Sequence, residues 1–390
     1  MSAECNHPAG MVRTFGRPKV FYSALDGLRG IAAICVVLYH LANWGEYTNW
    51  FPRGDLAVDF FFCLSGFVLA HAYSDRLGRT MSYGEFVLAR IIRLYPLLLF
   101  SVILAAVFFF GKSAFSSEIV PTADILAAMI TASLVLPYFE SSVPLSADSA
   151  AFPINGPLWS LFFEFFVSFA WAALFVVSTF RRTLAVAYIC AMVLLIAGLR
   201  YNDLLLGDEA HDFLWGIPRV GVSFALGLIV YHIHQQSWCT LRWPFWAVCL
   251  GLVAPLTLPR MFGMSDLLVD AFFIFAVSPF IVLLGAKVAL TDRWKQISDI
   301  GGELSYPIYV LHFPIFAWVN GSLQMFDFSL SAWQAVSLYF VMIMVCSWCA
   351  LIWFDRPVRR LLRQQQKSGR WPVAIQSPVG RLFRRNPAKL

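Results

Sequence analysis

Residues 24–44 read ALDGLRGIAAICVVLYHLANW, an apolar run of membrane-spanning length interrupted by Asp26, Arg29 and His40. Arg29 and His40 are eleven residues apart. At 100° per residue that is about 20° from three full turns, with about 16 Å between them along the axis. One face of a single helix therefore carries a cation near one membrane surface and a titratable imidazole deeper in. Two readings stay open. Arg29 holds an anionic ligand and His40 is a base further along, or Arg29 is a positive-inside anchor and His40 an interfacial side chain.

The same kind of run recurs along the chain. Its 390 residues are 59% hydrophobic and 13% charged. A soluble domain carries roughly a quarter charged residues, so this chain could not cover its surface in water. Length alone would allow two or three soluble domains. Apolar segments instead centre on 24–44, 56–74, 86–110, 122–137, 157–180, 183–199, 216–234, 244–260, 266–290, 303–321 and 332–354. The expected fold is all-α, a polytopic transmembrane helical bundle. The net charge of +6 is not a nucleic-acid footprint, because the basic residues sit in short loops and in the C-terminal segment. Arg13, Arg17 and Lys19 precede the first run with no apolar stretch before it, so the first span reads as an uncleaved anchor. Most cysteines lie inside apolar runs, where Cys packs as a small hydrophobe. Cys346 and Cys349 lack the second pair or His that a zinc set needs. No metal and no disulfide framework is expected.

Charge decides which segments cross. With the basic N-terminus inside, the Asp75–Arg93 loop is cytoplasmic after two crossings, and the third span leads out to a Ser-rich loop. If 122–137 also crossed, every later basic loop would fall on the wrong side. If it is re-entrant or interfacial, then Arg181 and Arg182, the Lys287–Lys295 loop and the tail are all cytoplasmic, and the acidic loop Arg200–Asp212 is outside. The segment is short and ends at Pro137, which suits partial entry. Ten spans plus one short re-entrant or interfacial segment are expected, with both termini cytoplasmic. The expected division is 1–22 cytoplasmic, 23–358 transmembrane, and 359–390 a basic, disordered tail drawn to anionic lipid.

Ionisable groups at membrane depth cost about 2.5–3.5 kcal/mol each even on lenient scales, and so mark pockets or pairs. Asp59 opens the second span, as a functional or interfacial carboxylate; Ser65-Gly66 later in it reads as a close-packing site. Arg90 and Arg93, at i and i+3, share a face at the cytoplasmic mouth of the third span. They read as a phosphate or carboxylate clamp, or as ordinary positive-inside flanking. Glu164 lies about two turns into the fifth, after Trp159 and among Phe162, Phe163, Phe165 and Phe166. It must pair with a cation or stay protonated. In the tenth, Tyr309 and His312 share a face ahead of Pro314.

Taken together, these blocks resemble acyltransferase family 3. Leu25 to Gly30 followed by His40 is similar to the family's Arg-x10-His signature. Asp59 to Gly66 resembles its Asp-x-Phe-Phe-x-Leu-Ser-Gly stretch, and Arg90 to Arg93 with Pro96 its Arg-x-x-Arg pair. Trp159-Ser160-Leu161 with Glu164, and Ser305-Tyr306 to His312, resemble later blocks. Asp355-Arg356-Pro357 resembles the last, where the family usually has Glu. The likeness runs in order from Leu25 to Pro357. No extracytoplasmic hydrolase domain, such as one branch of the family carries, is expected. The segment before Trp159 is long and rich in Pro and Ser, so the family's acceptor loop does not carry over.

The resemblance implies acyl transfer, most commonly of acetyl, from a cytoplasmic acyl-CoA to a hydroxyl of a carbohydrate or glycolipid acceptor. His40 is the candidate base, with Asp59 or Glu164 as the carboxylate that orients it. Arg29, Arg90 and Arg93 are candidates to bind the acyl-CoA, and Trp159, Tyr309 and His312 to contact another substrate. No bound cofactor is expected, and the partners are acyl-CoA, the acceptor and the bilayer of a plasma (inner) membrane. The rival class is a transporter or flippase using the same charges as a relay. No inverted repeat supports it.

Overall fold

The computed structural model describes residues 21–45, 49–115, 120–139, 150–175, 178–236, 243–261 and 263–368. The basic N-terminal segment and the tail beyond residue 368 lie outside the described residues. Helices run over Ser23–Trp44 (α1), Ala57–Tyr73 (α2), Tyr83–Phe115 (α3), Thr122–Ser133 (α4), Leu158–Leu174 (α5) and Phe180–Tyr201 (α6). Gly216–Gln235 (α7), Phe245–Leu256 (α8), Met264–Phe272 (α9), Ser278–Gly285 (α10), Asp292–Met325 (α11), Ala332–Ala350 (α12) and Arg356–Lys367 (α13) follow. π-helical turns at Phe273–Val277 and Leu351–Asp355 join α9 to α10 and α12 to α13. Among the described residues there is no strand.

Among the described residues, seven stretches are long and apolar enough to cross a membrane. They are α1, α2 with its lead-in turn, α3, α6, α7 with its lead-in turn, the joined α9–α10 and the joined α12–α13. The chain is a multi-pass membrane protein. The remaining segments differ for separate reasons. The 12-residue α4 and α8 rise about 18 Å each, short of a hydrocarbon core of about 30 Å. For α4 this agrees with partial entry; for α8 it shortens the expected 244–260 span, because Pro255 closes the helix. The 17-residue α5 is apolar but brief. The 34-residue α11 is long, but its first turns carry Asp292, Arg293, Lys295, Asp299 and Glu303. The last helix also continues to Lys367, where a disordered tail was expected from 359 onward. Asp355 explains the continuation, since it sits at the π-turn and pairs with Arg359 one turn on at 2.5 Å.

Lipid tails are as apolar as leucine, so helices associate here through close contact and polar pairing rather than through exclusion from water. Glycines supply the contact at two crossings. On α1 and α11, a Cβ built on Gly30 would lie 2.9 Å from the Gly301 carbonyl, and one on Gly302 2.5 Å from the Asp26 side chain. On α2 and α7, a Cβ on Gly227 would lie 1.9 Å from the Cys63 carbonyl oxygen, and one on Gly66 2.2 Å from that of Phe224. The bundle thus contains two helix pairs, α1 with α11 and α2 with α7, each closed backbone against backbone. Polar pairing is equally specific. Pro314 has no N–H, which frees the carbonyl of Val310 one turn earlier in α11. The fully buried Asn155 donates to that oxygen at 3.0 Å and so anchors the approach to α5.

At the end of the bundle where α1 leads into α2, buried Arg53 pairs with Asp266 and with Asp270 (2.6 Å). Arg260 pairs with Asp55 at 2.6 Å. Burial works against the Arg260 charge, but Asp55 and Asp270 more than offset it and raise its pKa. This network ties the lead-in to α2 to the connection between α8 and α9.

Candidate active site

A cavity of about 140 Å³ opens between α1, α2, α3, α5 and α11. One wall is the apolar side of α2, from Val58, Phe61 and Phe62 to Val68 and Leu69. Opposite it stand Arg29, Arg90, Arg93, Glu164 and Tyr309, so five of the residues singled out from sequence share one cavity. Each is placed by its own element. Arg29 donates to the Gly302 carbonyl (2.7 Å) and the Ser305 hydroxyl (2.9 Å) and pairs with Asp26 (2.9 Å). The close α1–α11 crossing makes that reach possible. Arg90, buried on α3, pairs with Glu164, which also accepts from the Ser65 hydroxyl at 2.8 Å. Glu164 is therefore paired rather than solvated. Ser65 is its ligand, whereas the neighbouring Gly66 is the packing residue. Tyr306 donates to the Leu94 carbonyl at 2.5 Å, and the Tyr309 and Ser160 hydroxyls are 2.6 Å apart. Since Ser160 also donates to the Pro157 carbonyl at 2.9 Å, Tyr309 is the donor within that pair.

Asp59 lies elsewhere, fully buried near the opposite end of α2. Arg219 of α7 holds it in a fork, from Nη2 at 2.8 Å and Nε at 3.2 Å, and the Ser223 hydroxyl donates at 3.2 Å. Arg219 also donates to the Leu206 carbonyl at 3.2 Å and lies 5.1 Å above the Trp159 ring. The loop that supplies Leu206 is braced by Asp212, which accepts from the backbone N–H groups of Gly207 and Glu209 at 3.1 Å each. Burial raises the pKa of that carboxyl.

His40 is half-buried further along α1. Its ring centroid is 5.3 Å from that of Trp44, 5.3 Å from His312 and 5.1 Å from Phe313. The Tyr309 ring, on the cavity wall, is 6.0 Å from His312. Aromatic rings thus lead from the cavity to the two imidazoles. Asp59 and Glu164 are each satisfied by an arginine rather than by His40.

The sequence reading gave no role to Arg219, Ser160 and Asn155, and read Ser65 as a packing residue. For Arg219 a signal existed, since it is a guanidinium inside an apolar run. The other three are small polar residues whose partners sit on distant helices. Among the described residues no three His, Cys, Asp or Glu side chains gather to hold a metal ion.

Comparison with known proteins identifies the family. The model of a family described as an acyltransferase domain matches residues 22–352. Protein 2 in the picA locus of Rhizobium radiobacter is 33% identical over 194 residues, covering 47% of this chain and 98% of that protein. The O-acetyltransferase OatA of Staphylococcus aureus is 25% identical over 342 residues, 79% of this chain. The match spans 53% of OatA. The putative peptidoglycan O-acetyltransferase YrhL of Bacillus subtilis is 36% identical over 96 residues, 23% of this chain and 14% of that protein. No solved structure matches. The ordered blocks, the helical bundle and the family model over 22–352 agree: this chain is an enzyme of acyltransferase family 3.

Proposed function

We propose that the protein is an integral-membrane O-acyltransferase that moves an acetyl group from a cytoplasmic acyl-CoA to a hydroxyl of a carbohydrate or glycolipid. The carrying observation is the cavity with three guanidiniums on one wall and apolar side chains on the other. A CoA thioester has matching halves, an anionic pyrophosphate and a slim, weakly polar pantetheine arm. Arg29, Arg90 and Arg93 would hold the phosphates, and the α2 wall would guide the arm. The rise from Arg29 to His40, about 16 Å, is of the order of an extended pantetheine arm. The relatives named as O-acetyltransferases favour acetyl and a glycan acceptor.

In this reading the chain crosses a plasma (inner) membrane ten times, with α5, α11 and the 243–261 segment, in which the short α8 is lengthened by its non-helical flanks, adding to the seven apolar crossings, and α4 entering partway. Both termini are cytoplasmic, which puts the arginine mouth on the side that holds CoA. His40 removes the proton of the attacking hydroxyl. The oxygen bonds to the thioester carbonyl carbon, the carbon–sulfur bond breaks, and His40 returns the proton to the thiolate. The products are an ester and free CoA. Glu164 positions Arg90, and Asp59 positions Arg219 over the Trp159 ring.

The test uses membranes containing the protein, acetyl-labelled CoA and a glycan extract. His40→Ala and His40→Gln should each lower transfer about 10²–10⁴-fold. Wild-type transfer in both would remove His40 from the chemistry. A transporter would move glycan without releasing CoA, so an absence of CoA release from wild type would favour that class.

A further inference from the structure

We infer that His312 is the positioning partner of His40, filling the role that a carboxylate fills in other histidine bases. The inference rests on His40 as base. Both carboxylates that could have served are committed elsewhere, Asp59 to Arg219 and Glu164 to Arg90. The imidazole beside His40 is that of His312, at 5.3 Å between centroids and 32° between planes.

The chemistry of His312 follows from its surroundings. Nδ1 lies 2.7 Å from the Tyr309 carbonyl and 3.2 Å from that of Ile308. Carbonyl oxygens only accept, so Nδ1 carries the hydrogen and Nε2 of the neutral ring is an acceptor. His312 is fully buried, and Nε2 has no hydrogen-bond partner among the described residues. A buried acceptor left without a donor is unfavourable. Such an atom beside the imidazole of α1 has an evident use. A small turn of the His40 ring brings its N–H to this nitrogen and leaves the other nitrogen of His40 facing the hydroxyl. When His40 takes the proton, the N–H between the two rings becomes a charge-assisted bond. It is therefore stronger in the transition state than before it. His312 holds its tautomer throughout and takes no proton.

Two substitutions separate this role from packing. Asparagine keeps an amide donor near the Nδ1 position, able to reach the Tyr309 carbonyl, and has no atom at Nε2. Glutamine can return an acceptor near Nε2. We expect His312→Asn to lower kcat about 10²-fold with the KM for acetyl-CoA unchanged, and His312→Gln to recover part of the loss. Rates are counted per folded enzyme, from the monodisperse fraction in detergent. The decisive variant is the double substitution, His40→Gln with His312→Asn. If His312 acts through His40, the double variant is no slower than His40→Gln alone. Losses that multiply, or a wild-type kcat in His312→Asn, would overturn the pairing. A fully active His40→Gln would sink the base itself, whatever His312 does, so the two failures are distinct.

Discussion

Glu164 and Asp59 are two carboxylates that apolar surroundings could not tolerate alone, and each has met an arginine from another helix. Removing one member of a buried pair strands the other, at a cost of about 3–5 kcal/mol. Glu164→Ala should therefore lower the melting temperature in detergent markedly. The double variant with Arg90→Ala should regain part of that loss, and additive losses would show that the pair is not coupled. Arg93 lines the same cavity without being part of that pair. Arg93→Ala should raise the KM for acetyl-CoA about tenfold or more with a small change in melting, and an unchanged donor dependence would count against the clamp. That Glu164 needed either a cation or a proton was legible from its phenylalanine neighbours; which of the two was not. That Asp59 takes Arg219 was not, because the partner is 160 residues away and no local spacing points to it.

Helices and their crossings carry information of another kind. The 3.6-residue geometry put Arg29 and His40 on one side of α1, but it could not say which helix faces them. The neighbour is α11, and glycines decide this, since Gly30 meets Gly301 with no side chain between. Gly227→Ala should abolish correct assembly, because its Cβ would sit 1.9 Å from the Cys63 carbonyl oxygen. Gly111→Ala in α3, with nothing within 4 Å, should be neutral or stabilising by about 0.5–1 kcal/mol. Size-exclusion profiles and melting curves of the two variants check the contrast; equal behaviour would mean that the α2–α7 crossing is looser than described. Elements were least legible where polarity and length disagree. The charged first turns of α11 hid its full extent, and the basic run after Asp355 concealed a helix that an ion pair sustains.

For the whole molecule, composition alone established a multi-pass membrane protein, and the positive-inside pattern supplied an orientation. A single cysteine at Asp203, in a background without native cysteines, should react with an impermeant maleimide on intact cells, whereas one at Arg79 should react only after permeabilisation. Reaction at both positions on intact cells would reverse or refute the orientation. Convergence of charges on one cavity was the part of the global picture that sequence could only suggest, because it depends on the crossing of five helices. Those helices include α1 and α11, closed backbone against backbone, and α2, closed in the same way onto α7 outside the cavity; the cavity lies between α2 and the α1–α11 pair. Neither pair contains a cushion of side chains that could yield, so the gap has a fixed width except where residues of the facing walls set it. At its deep end those residues are Val58, Phe61 and Phe62. Selectivity for the length of the transferred chain then behaves like a ruler with a movable stop: trimming these rings lengthens the scale, while the arginine grip at the other end keeps its zero mark.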